Sequence, residues 1–142
     1  MAARINHQLF FPHPPEAVWE YLTDAQLMEQ WLMPNNFKPI EGHEFTFNIK
    51  PMPSMNFDGI VYCKVVEITP FKTLSYTWKL GPGDGTINID SVVHWELKPK
   101  NNGTELILDH ADFVVMKNVD IFNAMEKGWK ENMAKIADHL KK

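Results

Sequence analysis

The sequence NVDIFNAMEKGWKENMAKIADHLKK, residues 118–142, contains no proline and a single glycine. Its apolar side chains recur mostly in steps of three and four, which places them along one stripe of an α-helix. The stripe consists of Ile121, Phe122, Met125, Trp129, Met133, Ile136 and Leu140. At about 1.5 Å per residue such a helix spans roughly 35 Å, the width of a small domain. We therefore expect a long amphipathic helix that needs an apolar surface to lie on.

The preceding sequence supplies such a surface, because it alternates apolar and polar residues in a series of predicted strands. They are Arg4–Phe11, Glu41–Lys50, Phe57–Thr69, Leu74–Leu80, Ile87–Leu97 and a sixth strand that carries Leu106, Leu108 and His110. The alternation slips near Val65 and Val66, which indicates a β-bulge. Asn101-Asn102-Gly103 is a strong hairpin signal between the last two strands.

Two short helices are predicted between the first strand and the second. Pro15 suits the first position of a helix, so the first is expected over Glu16–Leu22. Thr23 and Gln26 resemble a capping box for the second helix, with Asp24 as an alternative cap. The second helix turns three residues inward: Leu27, Met28 and Trp31.

Together these elements predict a single α+β domain over residues 1–142, in the order β-α-α-β-β-β-β-β-α. Its expected architecture is a curved, antiparallel, six-stranded sheet that holds the long C-terminal helix. The sequence shows neither an internal repeat nor a low-complexity linker that would divide the chain.

Composition and charge limit the classes of partner. A net charge of −4, without a block of like charges, argues against nucleic acid and against anionic lipid. No signal peptide and no membrane-spanning segment are predicted, and the lone Cys63 cannot form an internal disulfide. We expect a cytoplasmic protein of bacterial type, either a monomer or a homodimer.

Aromatic residues make up 12% of the chain, and many fall on predicted inward faces. Such bulk either fills a core or lines a pocket for a flat or acyl ligand, since binding pockets are mostly apolar with few polar groups. The candidate ligand-binding residues are Trp31, Phe45, Phe47, Tyr76, Trp78, Trp95, His110, Met125 and Trp129. Flexible methionines nearby suit variable ligands as well as irregular packing.

His110 shares the apolar face of the sixth strand with Leu106 and Leu108. One interpretation is a ligand contact or an acid–base group whose pKa is shifted by burial. The other is a core histidine that is hydrogen-bonded to the backbone or to a side chain such as Tyr76. His43 is expected at the solvated rim of the same surface.

Other chemistries are not indicated. The six histidines are scattered without metal-ligand spacing, so no metal site is expected. Cys63 fits a buried, inert thiol. There is neither a Gly-x-Ser-x-Gly element nor a phosphate-binding glycine pattern, and no cofactor is expected.

An ordered set of residues resembles the SRPBCC or START-like (Bet v 1-like) superfamily, and within it the small bacterial branch that resembles the C-terminal domain of the Hsp90 ATPase activator. The set comprises Pro14 to Trp19, Leu22 to Asp24, Trp31, Gly42, Gly59, Pro70, Leu74 to Trp78, Val93, Leu97, Gly103-Thr104, His110 and Gly128-Trp129. The resemblance implies a helix-grip fold, often with a cavity for a hydrophobic molecule. It covers nearly the whole chain, and we expect no counterpart of the co-chaperone's separate N-terminal domain.

Three functional hypotheses follow. The first is non-enzymatic binding of a small hydrophobic molecule, a lipid, acyl or aromatic compound, between the sheet and the C-terminal helix. The second is a stress-response module with a chaperone as its partner. The third is a cyclase, dehydratase or hydrolase that uses His110 as its acid or base; the nearly all-apolar inward positions favour the first.

Overall fold

Antiparallel pairing joins all the strands of this protein into one sheet, in the order β1-β6-β5-β4-β3-β2. A computed structural model describes residues 3–141, within which there are six strands and three α-helices. The strands are β1 (Ile5–Phe11), β2 (Glu44–Asn48), β3 (Ile60–Thr69), β4 (Thr73–Leu80), β5 (Ile89–Lys100) and β6 (Gly103–Met116). The helices are α1 (Pro15–Thr23), α2 (Ala25–Trp31) and α3 (Val119–Leu140). The predicted α+β fold and its element order are confirmed.

The sheet has one apolar face because its strands alternate as predicted. In β4, Leu74, Tyr76, Trp78 and Leu80 are buried. Cross-strand pairing sets them beside the inward residues of β5, with Leu74 opposite Trp95 and Tyr76 opposite Val93. The inward faces of adjacent strands thereby merge into one apolar surface.

Two short helices carry the chain from one edge of the sheet to the other, since β1 and β2 are the two edge strands. Pro15 occupies the start of α1, as predicted. The cap of α2 is Asp24, whose Oδ1 accepts hydrogen bonds from the backbone N–H groups of Gln26 (2.9 Å) and Leu27 (3.2 Å). The predicted capping box with Thr23 is wrong, because the Thr23 hydroxyl donates back to the carbonyl of Trp19 at 2.9 Å.

Helix α3 lies against the concave side of the sheet with Ile121, Trp129, Met133 and Ile136 buried. Asn118 caps its first turn, where Oδ1 accepts from the N–H of Ile121 at 3.1 Å. The same side chain donates through Nδ2 to the carbonyl of Met55 at 2.8 Å, which fastens the helix start to the loop after β2. Lys142, the last residue of the predicted helix, lies outside the described residues.

Several element boundaries differ from the predictions. β2 is shorter than Glu41–Lys50, since Gly42 has a positive φ of 87° and takes part in a turn. β6 extends beyond the predicted residues to Met116, with Asp112 at φ 53° near a shift in its register with β5. The predicted bulge in β3 is confirmed between Val65 and Glu67.

The hairpin signal is also confirmed, because Asn101 and Asn102 both have positive φ, at 49° and 62°, as a two-residue turn of type I′ requires. Within residues 3–141, no helix is both long and apolar enough to cross a membrane.

The cap of α2 gives a test of the local structure. We expect Asp24→Ala to lower the free energy of unfolding by about 1 kcal/mol, because two N–H groups lose their acceptor. Urea denaturation measures the change. Thr23→Ala is the matched control and should lower the free energy of unfolding by less. A larger loss in this control would support Thr23 as the cap instead.

Candidate functional site

A chain of hydrogen bonds crosses the centre of the interior, from α3 through β6 and β5 to β4. The indole Nε1 of Trp129 donates to Nδ1 of His110 at 3.1 Å. Nε2 of His110 lies 2.7 Å from Oγ of Ser91, and that hydroxyl donates to the backbone carbonyl of Trp78 at 3.0 Å. All four residues are buried.

The direction of these hydrogen bonds determines which ring nitrogen of His110 carries the proton. Trp129 can only donate, so Nδ1 must be the bare nitrogen and Nε2 carries the hydrogen that is donated to Ser91. Burial, with a smaller contribution from nearby His94, lowers the pKa of His110 to about 3. The imidazole is therefore neutral near pH 7, with both ring nitrogens occupied and no contact with solvent.

Aromatic rings fill most of the interior around this chain. The ring of Trp129 lies 5.1 Å from that of Trp78 and 5.5 Å from that of Trp95, measured between centroids. Trp95 donates its indole N–H to the hydroxyl of Tyr76 at 3.0 Å. Phe45 packs against Tyr76 with centroids 5.3 Å apart. The centre of the sheet is thus closed by side chains.

Open space lies instead to one side of this centre, between α3 from Ile121 to Asn132, strands β3 and β4, and the loops that follow α2 and β2. We call it the α3 pocket; its volume is about 280 Å³. It is lined by Leu32, Met33, Ile49, Met52, Phe57, Val61, Trp78, Leu80, Ile121, Ala124, Met125 and Asn132. None of these lining residues has an ionisable side chain.

A smaller inner pocket of about 90 Å³ adjoins it and reaches Gly128 and Trp129. Five residues line both pockets: Leu32, Met33, Trp78, Met125 and Asn132. The indole Nε1 of Trp78 donates to Sδ of Met125 at 3.2 Å. Met125 therefore stands where the two pockets meet.

The sequence of residues 12–141 matches the family described as activator of Hsp90 ATPase homolog 1-like protein. The chain belongs to this family. This confirms the resemblance noted from the sequence. No curated protein sequence matches the chain.

Solved structures of similar proteins share the fold of this family member. Protein MLL2253 from Mesorhizobium loti is 32% identical and has a TM-score of 0.85, with 98% of this chain and 97% of that chain covered. The Aha1 dimer from Colwellia psychrerythraea is 18% identical with a TM-score of 0.74, over 96% of this chain and 94% of that chain. DynU16, from the dynemicin biosynthetic locus, is 18% identical with a TM-score of 0.74 over 97% of this chain and 47% of that chain.

Three of the nine candidate ligand-binding residues border the two pockets of this activator-homolog domain: Trp78, Met125 and Trp129. The other six border neither pocket and belong to the buried core: Trp31, Phe45, Phe47, Tyr76, Trp95 and His110. His110 is a core histidine that is hydrogen-bonded to side chains, as the second interpretation predicted. Its partners are Ser91 and Trp129; Tyr76, given as an example, is wrong, because it pairs with Trp95.

Sequence reasoning missed two sets of residues. Ser91 lies on the inward face of β5 between Ile89 and Val93, so the alternation itself could have placed it beside His110. Ala124, Gly128 and Asn132 recur every four residues at the border of the apolar stripe of α3. Small side chains with this spacing share one face of a helix and indicate where it leaves room.

A second polar constellation lies on the opposite, convex side of the sheet. Oγ of Ser75 is 2.9 Å from Nδ1 of His94, and Nε2 of His94 is 2.9 Å from Oδ2 of Asp112. These residue types also form hydrolase triads. However, Ser75 is nearly buried, at 7% exposed, and does not line the surface groove that His94 and Asp112 border. A substrate in that groove would not meet the hydroxyl.

Metal and thiol chemistry receive no support from the described part of the chain. Among residues 3–141, no three His, Cys, Asp or Glu side chains cluster closely enough to hold a metal ion. Cys63 is buried, and burial raises the pKa of its thiol well above the usual value.

The pKa of His110 predicts how stability depends on pH. The unfolded chain binds the proton at its ordinary pKa near 6.5, whereas the folded chain does so at about 3. Stability contributed by the neutral imidazole is complete above pH 6.5 and is lost as the pH falls towards 3. We expect about 2 kcal/mol of this loss between pH 7 and pH 5.

His110→Gln is the comparison variant, because glutamine can accept from Trp129 and donate to Ser91 without titrating. Urea unfolding at several pH values should show a shallower decline for the variant than for the wild type. Other titrating groups cancel in this comparison. Parallel declines would mean that His110 is not held neutral by the fold.

Proposed function

We propose that this protein binds a small, uncharged and mostly apolar molecule in the α3 pocket and that it does so without catalysis. The observation that carries this proposal is the pocket itself, which lies between the concave face of the sheet and α3. It is lined by apolar side chains, with the Asn132 amide and the indole N–H of Trp78 as polar groups close by.

The lining determines the class of ligand. Since no ionisable side chain among the described residues lines the pocket, a charged molecule would lose its hydration without gaining a counter-ion. A volume of about 280 Å³ lies near the lower end of the range for ligand pockets, roughly 300–1,000 Å³. One aromatic ring with a short substituent, or a short acyl chain, fits this size.

Two features of the walls suit a ligand site. Met33, Met52 and Met125 are unbranched and can adjust to different shapes. Gly128 sits within α3, where glycine costs about 1 kcal/mol relative to alanine, yet a Cβ at this position would meet no atom within 4 Å. No neighbouring atom therefore requires glycine at this position. The missing side chain does, however, leave more room in the inner pocket.

Catalysis is the weaker interpretation of the same structure. A general base must reach its substrate and hold a pKa close to the working pH. His110 has neither property, because it is fully buried, both of its nitrogens are bonded, and its pKa is lowered to about 3. Ser75 on the other side of the sheet is shielded from the nearest groove.

Filling the pocket tests the proposal. We expect Ala124→Phe to weaken binding of isopropylbenzene at least about tenfold, because the new ring occupies the mouth of the pocket. Titration followed by amide chemical shifts measures the dissociation constant. Ala134→Phe is the matched control, since Ala134 is also exposed on α3 but lines neither pocket. Equal affinities for the two variants would refute the site.

A chaperone is the second candidate partner, because the matched family is described by activation of the Hsp90 ATPase. In that case the protein at saturating concentration should raise the rate of ATP hydrolysis by an Hsp90-type chaperone. A coupled ATPase assay measures the rate. The Ala124→Phe variant separates the two functions, since a surface interaction away from the α3 pocket would survive it. An unchanged rate would remove this candidate.

A further inference from the structure

The indole N–H of Trp78 has a poorer hydrogen-bond acceptor than three other indoles of the core. Trp31 donates to the carbonyl of Tyr21 at 2.7 Å, and Trp95 donates to the hydroxyl of Tyr76 at 3.0 Å. Trp129 donates to the bare nitrogen of His110 at 3.1 Å. Trp78 donates to the thioether sulfur of Met125, which is a weak acceptor. Replacing the weak acceptor of a buried donor by an oxygen is therefore stabilising.

This weakly bonded donor lies at the wall of the proposed site. Trp78 and Met125 line both the α3 pocket and the inner pocket. The N–H points at the sulfur of Met125, so a movement of that side chain uncovers the donor to the pockets on either side. Methionine is suited to such a movement, because it has three rotatable bonds and Met125 is only partly buried.

We infer that the ligand carries a neutral hydrogen-bond acceptor, such as a ketone, ester or ether oxygen, which replaces the sulfur of Met125 as the partner of the Trp78 N–H. Met125 then acts as a gate between the two pockets. The apolar part of the ligand lies in the α3 pocket. This inference rests on the proposed function and adds to it the chemical class of the ligand and the residue that selects it.

The selection has a simple physical basis. A ligand without an acceptor that displaces Met125 covers the Trp78 N–H without giving it a partner, which carries a desolvation cost. A ligand with an acceptor restores the bond with an oxygen in place of the sulfur. Asn132 also borders both pockets, so it is the alternative group that could bind the same oxygen.

Two probes isolate the acceptor. Acetophenone and isopropylbenzene have the same ring and the same branching, and they differ by a carbonyl oxygen in place of a methyl group. The quantity to measure is the ratio of their dissociation constants, from NMR titrations of the whole protein. A ratio taken within each variant cancels the effect of the substitution on apolar packing.

We expect Trp78→Phe to reduce the preference for acetophenone by about two- to tenfold, the value of one hydrogen bond. Met125→Leu should leave that preference unchanged and tighten the binding of both probes by a similar factor, because neither probe then has to break the bond between the Trp78 N–H and the sulfur. Leucine conserves the volume of methionine. Met133→Leu is the matched control, since Met133 is a buried methionine of α3 that lines neither pocket, and its affinities for both probes should equal those of the wild type.

A spectroscopic signal keeps the test decisive if Trp78→Phe does not fold. In the wild type, the indole N–H resonance of Trp78 should move downfield with acetophenone and not with isopropylbenzene. The resonances of Trp31, Trp95 and Trp129 should move little, since their acceptors are retained.

The remaining outcomes separate the inference from the function on which it rests. Binding of both probes with an unmoved Trp78 N–H would overturn the acceptor selection and leave the α3 pocket as a general apolar site. Loss of the acetophenone preference in Asn132→Leu, with an unchanged ratio in Trp78→Phe, would assign the oxygen to Asn132 and also overturn it. Failure of the folded wild type to bind either probe would overturn the proposed function and the inference together.

Discussion

The contact of Trp129 with the concave face of the sheet is the interaction on which the rest of the structure depends. Its ring packs against Trp78 and Trp95, and its N–H fixes the bare nitrogen of His110. This one side chain therefore joins α3 to the centre of the sheet and sets the tautomer of a buried histidine. Ser91 extends this series of hydrogen bonds from His110 to the backbone carbonyl of Trp78 in β4. Removal of the indole would leave Nδ1 of His110 without a donor in a dry interior, where an unpaired polar group is costly.

The closed centre explains why the pocket lies at one end of the domain. Aromatic rings occupy the space beneath Trp129, so the centre of the sheet has no room for a ligand. In the α3 pocket, α3 contributes the small Ala124, and the loops after α2 and β2 contribute flexible methionines together with one ring, that of Phe57. In this protein the helix-grip architecture thus combines an aromatic core with an apolar end that contains several methionines. Ring contacts with Phe47, His110 and Trp129 hold Trp78 between the core and the α3 pocket.

Particular residues show which features of the structure can be predicted from the sequence. The stripe of α3 and the alternation of β4 were predicted because their periods of 3.6 and 2 follow from backbone geometry alone. From the sequence, Asp24 is only an alternative cap, since Thr23 and Asp24 both suit that position and only the path of the chain after α1 chooses between them. Among the candidate site residues, Trp78, Met125 and Trp129 border the pockets. Tyr76 and Trp95 could not be told apart from them, because core and pocket walls have the same composition.

By itself, the sequence determined the elements, their order, the α+β class and the apolar side of each element, because these depend on local periodicity and turn residues. Only the tertiary structure decided which apolar side chains are core and which face open space. That outcome depends on contacts between segments far apart in the chain, such as Leu32, Phe57 and Met125 around one pocket. It also decided the state of His110, whose partners Ser91 and Trp129 each lie 19 residues away along the chain. No periodic pattern encodes such distances, because they are set by how the sheet curves around the helix.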